Sequence, residues 1–181
     1  MTCVVAIKHK NKIYMGADSE ISSQHISRVR STKTPKIFIN DKFIIGNCGS
    51  LRFNQILQYL FKPSPQLPKE SDDEYIYGNT MRAIRNVCFE YGYFKNEAYG
   101  NSCEDFILGY KKNIYRVFAD FSIEVPFQNF TACGSGENFA MGSLHETEKL
   151  HPKIRIFRAL ACAEKFAPGV KQPFKILELE C

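Results

Sequence analysis

The sequence of 181 residues lacks the patterns that mark several common classes of protein. No apolar stretch approaches the ~20 residues that a membrane-spanning helix needs, and the N-terminus has neither the charged nor the hydrophobic region of a secretory signal. The four histidines have no metal-ligand spacing, and no glycine-rich loop is long enough for a phosphate or dinucleotide fingerprint. These absences predict a cytoplasmic protein that uses no metal, no cofactor and no membrane.

Charge and cysteine content argue against two further classes. The net charge of +5 comes from lysines and arginines that are dispersed along the chain rather than gathered in one stripe, so nothing predicts nucleic-acid binding. The seven cysteines are odd in number, lie mostly in apolar runs and form no Cys-x-x-Cys pair. We therefore expect reduced cysteines that pack as small apolar residues in the core.

The order of the predicted elements indicates the fold class. A chain of 181 residues with 44% hydrophobic composition fits one domain over residues 1–181. Short polar turns join apolar runs into hairpins, which argues against a doubly wound parallel sheet. Helical patterns cover 51–61, 73–92, 138–148 and 153–166, 93–102 is a polar loop, and strands are expected at 104–125, 130–133 and 173–179. This order predicts an α+β fold, a four-layer αββα sandwich of two antiparallel sheets flanked by helices.

Thr2 offers the most chemistry, because it lies directly behind Met1. If Met1 is removed, Thr2 carries both a hydroxyl nucleophile and an α-amine, whose unperturbed pKa of about 7.7–8.0 lets it act as a base near neutral pH. The strand-like run 3–8 begins beside it. A second strand-like run, 13–17, ends at Asp18 and places a carboxylate just past the strand end.

A second hairpin, 36–46, leads into another feature that can take part in catalysis. It begins at Lys36 and runs into the turn Asn47-Cys48-Gly49-Ser50, which precedes the amphipathic stretch 51–61. Free backbone N–H groups in such a turn are suited to holding an oxyanion.

These features, in this order, resemble the proteasome β-subunits and the bacterial HslV peptidase. The second half of the chain agrees in the hairpin 105–117 and in Gly134-Ser135-Gly136, which is followed by a helix with small residues. The resemblance spans nearly the whole chain and depends on the order of its motifs. It implies a threonine endopeptidase with these roles: Thr2 as nucleophile, Lys36 lowering the pKa of the amine and hydroxyl, Asp18 holding that lysine, Gly49 and Ser50 as oxyanion hole, and Ser135 binding the amine.

The resemblance also implies partners. The substrates would be unfolded polypeptides or peptides, and the chain would assemble into a homo-oligomeric ring that encloses the site, with an AAA+ unfoldase as a further partner. The aromatic segment 91–94 and the proline-rich connection 62–68 are the expected contact regions.

Several alternatives stay open. Lys33 competes with Lys36, although Lys36 begins the apolar strand. Read alone, Asp18 is a turn residue and Ser135 a helix-entry residue. Cys48 is an exception among the expected core cysteines, because the resembled family places a specificity-pocket side chain near it. The Asp and Ser that support the amine late in many family members are missing from 164–170. The chain could therefore be a catalytically inactive structural subunit of the same fold, or an N-terminal-nucleophile amidase that acts on small amides.

Overall fold

The computed structural model describes the backbone of residues 1–23, 26–97 and 100–181, and the side chains of 1–21, 32–94 and 102–181. The strands are β1 (Val4–His9), β2 (Lys12–Ala17), β3 (Glu20–Ser23), β4 (Ile26–Ser31), β5 (Ile37–Asn40), β6 (Phe43–Asn47), β7 (Lys95–Glu97), β8 (Gly100–Ser102), β9 (Phe106–Tyr110), β10 (Asn113–Val117), β11 (Ile123–Glu124), β12 (Phe130–Cys133) and β13 (Lys175–Glu180). The α-helices are α1 (Leu51–Gln55), α2 (Asp72–Glu74), α3 (Met81–Glu90), α4 (Glu137–Glu146) and α5 (Pro152–Phe166), and the segments Ile56–Leu60 and Tyr75–Thr80 are π-helical.

Two antiparallel sheets form the centre of the molecule. One has the strand order β12-β1-β2-β13 and the other β11-β10-β9-β6-β5, while β3 with β4 and β7 with β8 form separate hairpins. Within the first sheet, Val4 at the start of β1 lies opposite Ala17 at the end of β2 and Cys133 at the end of β12. The residues that flank these three positions therefore meet at one end of the sheet, where the three strands begin or finish.

Strand alternation explains the layers, because successive side chains of a strand point to opposite faces. Val4 and Ala6 of β1 face the second sheet, where they pack with Ile37 and Ile44. Val5 and Ile7 face the other way and pack on the buried side of α4 and α5.

The outer face of the second sheet is covered in the same way. Phe43 and Phe106 pack there against Phe53 of α1 and Ile84 of α3. The predicted four-layer αββα sandwich of two antiparallel sheets flanked by helices is confirmed.

The structure differs from the sequence prediction in the connections and in some helix details. The hairpin β3–β4 was not predicted, and the pair β7–β8 lies within the expected loop 93–102. The predicted helices 51–61 and 73–92 each contain a π-helical segment, a geometry that apolar periodicity does not distinguish from an α-helix.

One expectation about side chains was wrong, and another holds only in part. Cys48 and Cys133 form a disulfide, so the cysteines are not all reduced core residues, and Cys181 is exposed. The segment 91–94 is only partly an exposed aromatic surface, because Tyr93 packs against the core and stacks on Phe53 at 5.5 Å between ring centroids.

Candidate active site

Thr2 lies at the end of the first sheet where the start of β1 meets the ends of β2 and β12. Its backbone N–H donates to Ser135 Oγ at 3.2 Å, and Ser135 Oγ donates to the Thr2 carbonyl at 3.3 Å. The Gly136 N–H donates to the same carbonyl, also at 3.3 Å. The turn after β12 thus binds both the backbone nitrogen and the carbonyl oxygen of Thr2, and the side chain of Thr2 is buried.

The glycines of this turn are required by how closely it approaches the chain start. Gly134 has φ +93°, a left-handed conformation that favours glycine, and a Cβ there would collide with the Thr2 carbonyl oxygen. A Cβ on Gly136 would lie 2.8 Å from the Cys3 Cβ. The Gly-Ser-Gly sequence therefore allows Ser135 to reach Thr2.

Asp18 and Lys36 form a buried ion pair beside the Thr2 hydroxyl. Lys36 Nζ lies 2.9 Å from both carboxylate oxygens of Asp18 and donates to Thr2 Oγ1 at 3.1 Å. The Asp18 oxygens also accept the backbone N–H groups of Cys3 and Glu20, each at 2.9 Å. These bonds fix the carboxylate, and the carboxylate in turn fixes the ammonium group against the hydroxyl.

Burial controls the protonation of Lys36. Its residue is only 8% exposed, and the resulting desolvation lowers the pKa of its ammonium below the ordinary lysine value, although the neighbouring Asp18 and Glu20 carboxylates act to raise it. Lys33, the competing lysine, is exposed to solvent. The structure therefore brings Lys36 to Thr2 and Asp18, and places Lys33 outside this cluster.

The turn after β6 lies beside Lys36, because the Asn47 N–H donates to the Lys36 carbonyl at 3.0 Å. The Asn47 side chain donates to the Ser50 carbonyl at 2.9 Å and accepts the Gly49 N–H at 3.2 Å. Ser50 is the N-cap of α1, with its hydroxyl accepting the Arg52 N–H. The Gly49 amide that the resemblance assigns to the oxyanion hole is therefore shared with the Asn47 side chain.

The disulfide Cys48–Cys133 joins the two turns that flank Thr2. Cys48 directly precedes Gly49, and Cys133 directly precedes Gly134. The covalent bond therefore connects the Gly49-Ser50 turn of one sheet with the Gly134-Ser135 turn of the other. No Cys-x-x-Cys spacing could indicate this bond, because its two cysteines are 85 positions apart.

Met1 occupies the site in the full chain. Its carbonyl oxygen accepts hydrogen bonds from Thr2 Oγ1 at 2.6 Å and from Lys36 Nζ at 3.3 Å. Its side chain lies against Gly169, which follows α5 and has φ +78°. Loss of Met1 would release both donors and leave the Thr2 amine near Ser135.

A cavity of about 290 Å³ opens beside Thr2. The sequence prediction assigned catalytic roles to Thr2, Lys36, Gly49 and Ser50 of its wall and to none of the other side chains, because only the folded chain brings those to the cavity. The cavity is lined by Met1, Thr2, Glu20, Ile21, Lys36, Asn47, Cys48, Gly49, Ser50, Leu51, Asn54 and Glu104.

The part of the chain that the structure describes has neither a metal-binding cluster nor a membrane-spanning helix. Among residues 1–23, 26–97 and 100–181, no group of three or more His, Cys, Asp or Glu side chains is placed to hold a metal ion. In the same ranges, no helix is both long enough and apolar enough to cross a membrane.

Comparison with known proteins reveals likeness in structure. No protein-family model and no curated protein sequence matches the chain. Thiobacillus denitrificans BPH in complex with epoxomicin is similar over 99% of this chain and 98% of its own, with a TM-score of 0.81 and 20% identity. HslV from Trypanosoma brucei is similar over 99% of this chain and 100% of its own, with a TM-score of 0.68 and 14% identity.

A third solved structure, an Anbu mutant from Hyphomicrobium, is similar over 99% of this chain and 82% of its own, with a TM-score of 0.72 and 12% identity. At such identities the likeness establishes the fold, and the activity has to be argued from the site residues. The resemblance to HslV that the sequence predicted is confirmed at this level: the chain has the Ntn-hydrolase fold of the HslV-like proteins.

Proposed function

We propose that this chain is a threonine endopeptidase whose nucleophile is the Thr2 hydroxyl, exposed by removal of Met1. The observation that carries the proposal is the contact of Lys36 Nζ with Thr2 Oγ1 at 3.1 Å while Asp18 holds the same ammonium at 2.9 Å. A fixed positive charge beside a hydroxyl favours its deprotonated form and so activates it as a nucleophile.

The reaction follows from the groups around Thr2. The free α-amine takes the proton of Oγ1, and Oγ1 attacks the substrate carbonyl carbon to give a tetrahedral oxyanion. The N–H groups of Gly49 and Ser50 receive that oxyanion, with Gly49 exchanging its bond to Asn47. The ammonium of Thr2 then protonates the leaving amine, and water hydrolyses the acyl ester and regenerates the hydroxyl.

Ser135 and Asp18 have positioning roles in this proposal. Ser135 Oγ already contacts the Thr2 nitrogen at 3.2 Å, which is where the free amine will be. Asp18 acts through Lys36, because its carboxylate touches the lysine and two backbone amides.

A catalytically inactive structural subunit is the second candidate, and two observations favour it. Met1 is hydrogen-bonded within the site. The segment Ala167-Pro168-Gly169 next to it offers neither the carboxylate nor the hydroxyl that supports the amine in many proteins of the resembled family. An amidase for small amides uses the same Thr2 chemistry and differs from the endopeptidase only in its substrates.

The test has two steps. Intact mass of the purified protein first determines whether Met1 is absent, since a chain that retains it has no free Thr2 amine. Wild type and Thr2→Ala are then compared on peptides and on small amides, with epoxomicin, the compound bound to BPH, as a candidate inhibitor. The endopeptidase proposal expects peptide turnover that Thr2→Ala abolishes without loss of the fold, and activity retained in that variant rules the mechanism out.

We further propose that the substrates are peptides or unfolded polypeptides and that the chain acts within a homo-oligomeric ring. An AAA+ unfoldase and a cytoplasmic location remain predictions. Enclosure in a ring would restrict an endopeptidase to chains that can enter, and the HslV-like fold supports this arrangement.

A further inference from the structure

The cavity beside Thr2 carries buried hydrogen-bond acceptors that have no partner. Glu20 is only 1% exposed, and neither of its carboxylate oxygens forms a hydrogen bond. Asn54 is equally buried, and its Oδ1 also lacks a partner. Buried polar groups are normally paired, because leaving them unpaired costs free energy. Both residues line the cavity, so their unpaired acceptors point to a donor that binds there.

The orientation of Asn54 is set by its other atom. Its Nδ2 donates to the Pro35 carbonyl at 2.8 Å. The amide nitrogen therefore has a partner, and the amide oxygen is the atom without one. The three unpaired atoms of these two side chains are thus all oxygens, and a carboxylate or amide oxygen accepts hydrogen bonds. A ligand that satisfies all of them carries several hydrogen-bond donors.

Nearby charges favour a cation. Lys36, the cavity's lysine, already pairs with Asp18 through both carboxylate oxygens. Glu104 adds a second carboxylate to the wall and accepts the Tyr93 hydroxyl at 2.8 Å. The side chains of an arginine or a lysine combine a positive charge with multiple donors, and Arg offers five in a planar fork.

We propose that this cavity binds the cationic side chain of the substrate residue whose carbonyl Thr2 attacks, with Glu20 as the specificity-determining residue and Asn54 as a supporting acceptor. This inference rests on the proposed function in one respect: Thr2 is taken to attack the carbonyl of the residue whose side chain the cavity binds. Thr2, Gly49 and Glu20 all line this cavity, so a substrate residue whose carbonyl is held at the nucleophile has its own side chain within reach of it. Cleavage would then follow Arg or Lys.

The first experiment compares arginine with citrulline, its neutral analogue of nearly the same shape, at the residue before the scissile bond. It uses wild-type chain whose loss of Met1 has been verified by intact mass. We expect kcat/KM to be about 10- to 100-fold higher for arginine, because a charge-assisted bond to a buried carboxylate is lost in citrulline. Equal rates for the two peptides, or a preference for an acidic residue, would overturn the proposal.

The second experiment assigns the preference to a residue. Glu20→Gln keeps the shape and removes the charge, so the arginine-to-citrulline ratio should fall towards one. Glu90→Gln, an exposed acid outside the cavity, should leave the ratio unchanged. If Glu20→Gln folds, as judged by thermal melting, and keeps the full ratio, then Glu20 is not the determinant and the assignment is wrong.

A binding measurement separates this inference from the proposed function and does not depend on the Glu20 variant. The Thr2→Ala chain, again without Met1, is titrated with fluorescent peptides that end in arginine or citrulline. Tighter binding of the arginine peptide without hydrolysis by wild type would support the cavity assignment and refute the peptidase. Hydrolysis with no difference between the two peptides would support the peptidase and refute the cavity assignment. If the chain shows neither binding nor hydrolysis, both proposals are refuted.

Discussion

At the residue scale, the account depends on one buried ammonium. Lys36 touches the Thr2 hydroxyl and both oxygens of Asp18, while Lys33 is exposed. The sequence could indicate Lys36 only through its place at a strand start after Pro35. It could not give the distances, because Asp18 and Lys36 come from opposite sheets and meet only when the sandwich forms.

Replacing Lys36 tests this directly. Lys36→Ala should reduce turnover by two or more orders of magnitude, at about 1.4 kcal/mol per tenfold, whereas Lys33→Ala should have a mild effect. Because Lys36→Ala leaves the Asp18 carboxylate buried and unpaired, it should also lower stability, by roughly 3–5 kcal/mol.

The double variant Asp18→Asn/Lys36→Met controls for that loss of stability, since it removes both charges of the buried ion pair together. It should unfold at higher denaturant concentration than Lys36→Ala and still be inactive. If turnover instead collapses with Lys33→Ala and survives Lys36→Ala, the lysine assignment is wrong, although Thr2 could remain the nucleophile.

The pH dependence of turnover follows from the lowered pKa of Lys36. Its ammonium activates Thr2 only while protonated, so activity should fall as pH rises through a pKa below the ordinary lysine value of about 10.4. Asp18→Asn removes a carboxylate that raises this pKa, so the alkaline limb should move to lower pH.

The contribution of Lys36 to stability should rise with pH, whereas turnover falls. The folded chain releases the Lys36 proton at lower pH than the unfolded chain does, so between the two pKa values its contribution to the free energy of unfolding increases with pH. Turnover and denaturation, each measured as a function of pH, check both signs. An alkaline limb that stays at the ordinary lysine pKa would contradict the buried, desolvated Lys36.

At the element scale, two turns from different sheets form the walls of the site. The order of strands and helices was predictable because hairpin turns and apolar periodicity are local signals. The disulfide and the packing of Gly134 on Thr2 were not, because they depend on contacts between distant segments. The hairpin β3–β4 was missed since its polar strands, with serines and arginines, show no clear apolar alternation.

The disulfide should contribute to stability through the length of chain it closes. A separation of 85 residues corresponds to about 4–5 kcal/mol of lost conformational freedom in the unfolded chain. Denaturation measured with and without dithiothreitol should show that reduction lowers the free energy of unfolding by this amount. The double variant Cys48→Ser/Cys133→Ser should be insensitive to the reductant.

Cys181→Ser, which removes an exposed free thiol, is the matched control and should leave the reductant effect intact. Thiol counting gives an independent check, because the denatured but unreduced protein should keep Cys48 and Cys133 unavailable for alkylation. Alkylation of all seven cysteines under those conditions would show that the bond is absent.

At the scale of the whole molecule, the outer helices expose aromatic side chains. Phe139 of α4 and Phe166 of α5 are exposed, with ring centroids 5.6 Å apart. Phe157 is also exposed on α5 and lies 5.7 Å from Phe174. Adjacent exposed apolar side chains are typical of interaction sites, so the pair Phe139 and Phe166 is a stronger candidate for self-assembly than segment 91–94.

Sedimentation tests that assembly. Wild type should sediment as a species larger than the 20.8 kDa chain, and Phe139→Ser/Phe166→Ser should shift it towards smaller species. Phe127→Ser removes a fully exposed phenylalanine elsewhere and should not. A 20.8 kDa monomer across a wide concentration range would contradict the ring.

The central claim is that Thr2 is the nucleophile, and a trapped acyl-enzyme tests it most directly. Wild-type chain is acid-quenched during turnover of a peptide substrate, digested with trypsin and analysed by mass spectrometry. The account predicts that residues 2–8, released without Met1, carry the mass of the acyl part of the substrate, and that Thr2→Ala carries none. Met1 retained on the active protein, or an acyl group found on another peptide, would contradict it.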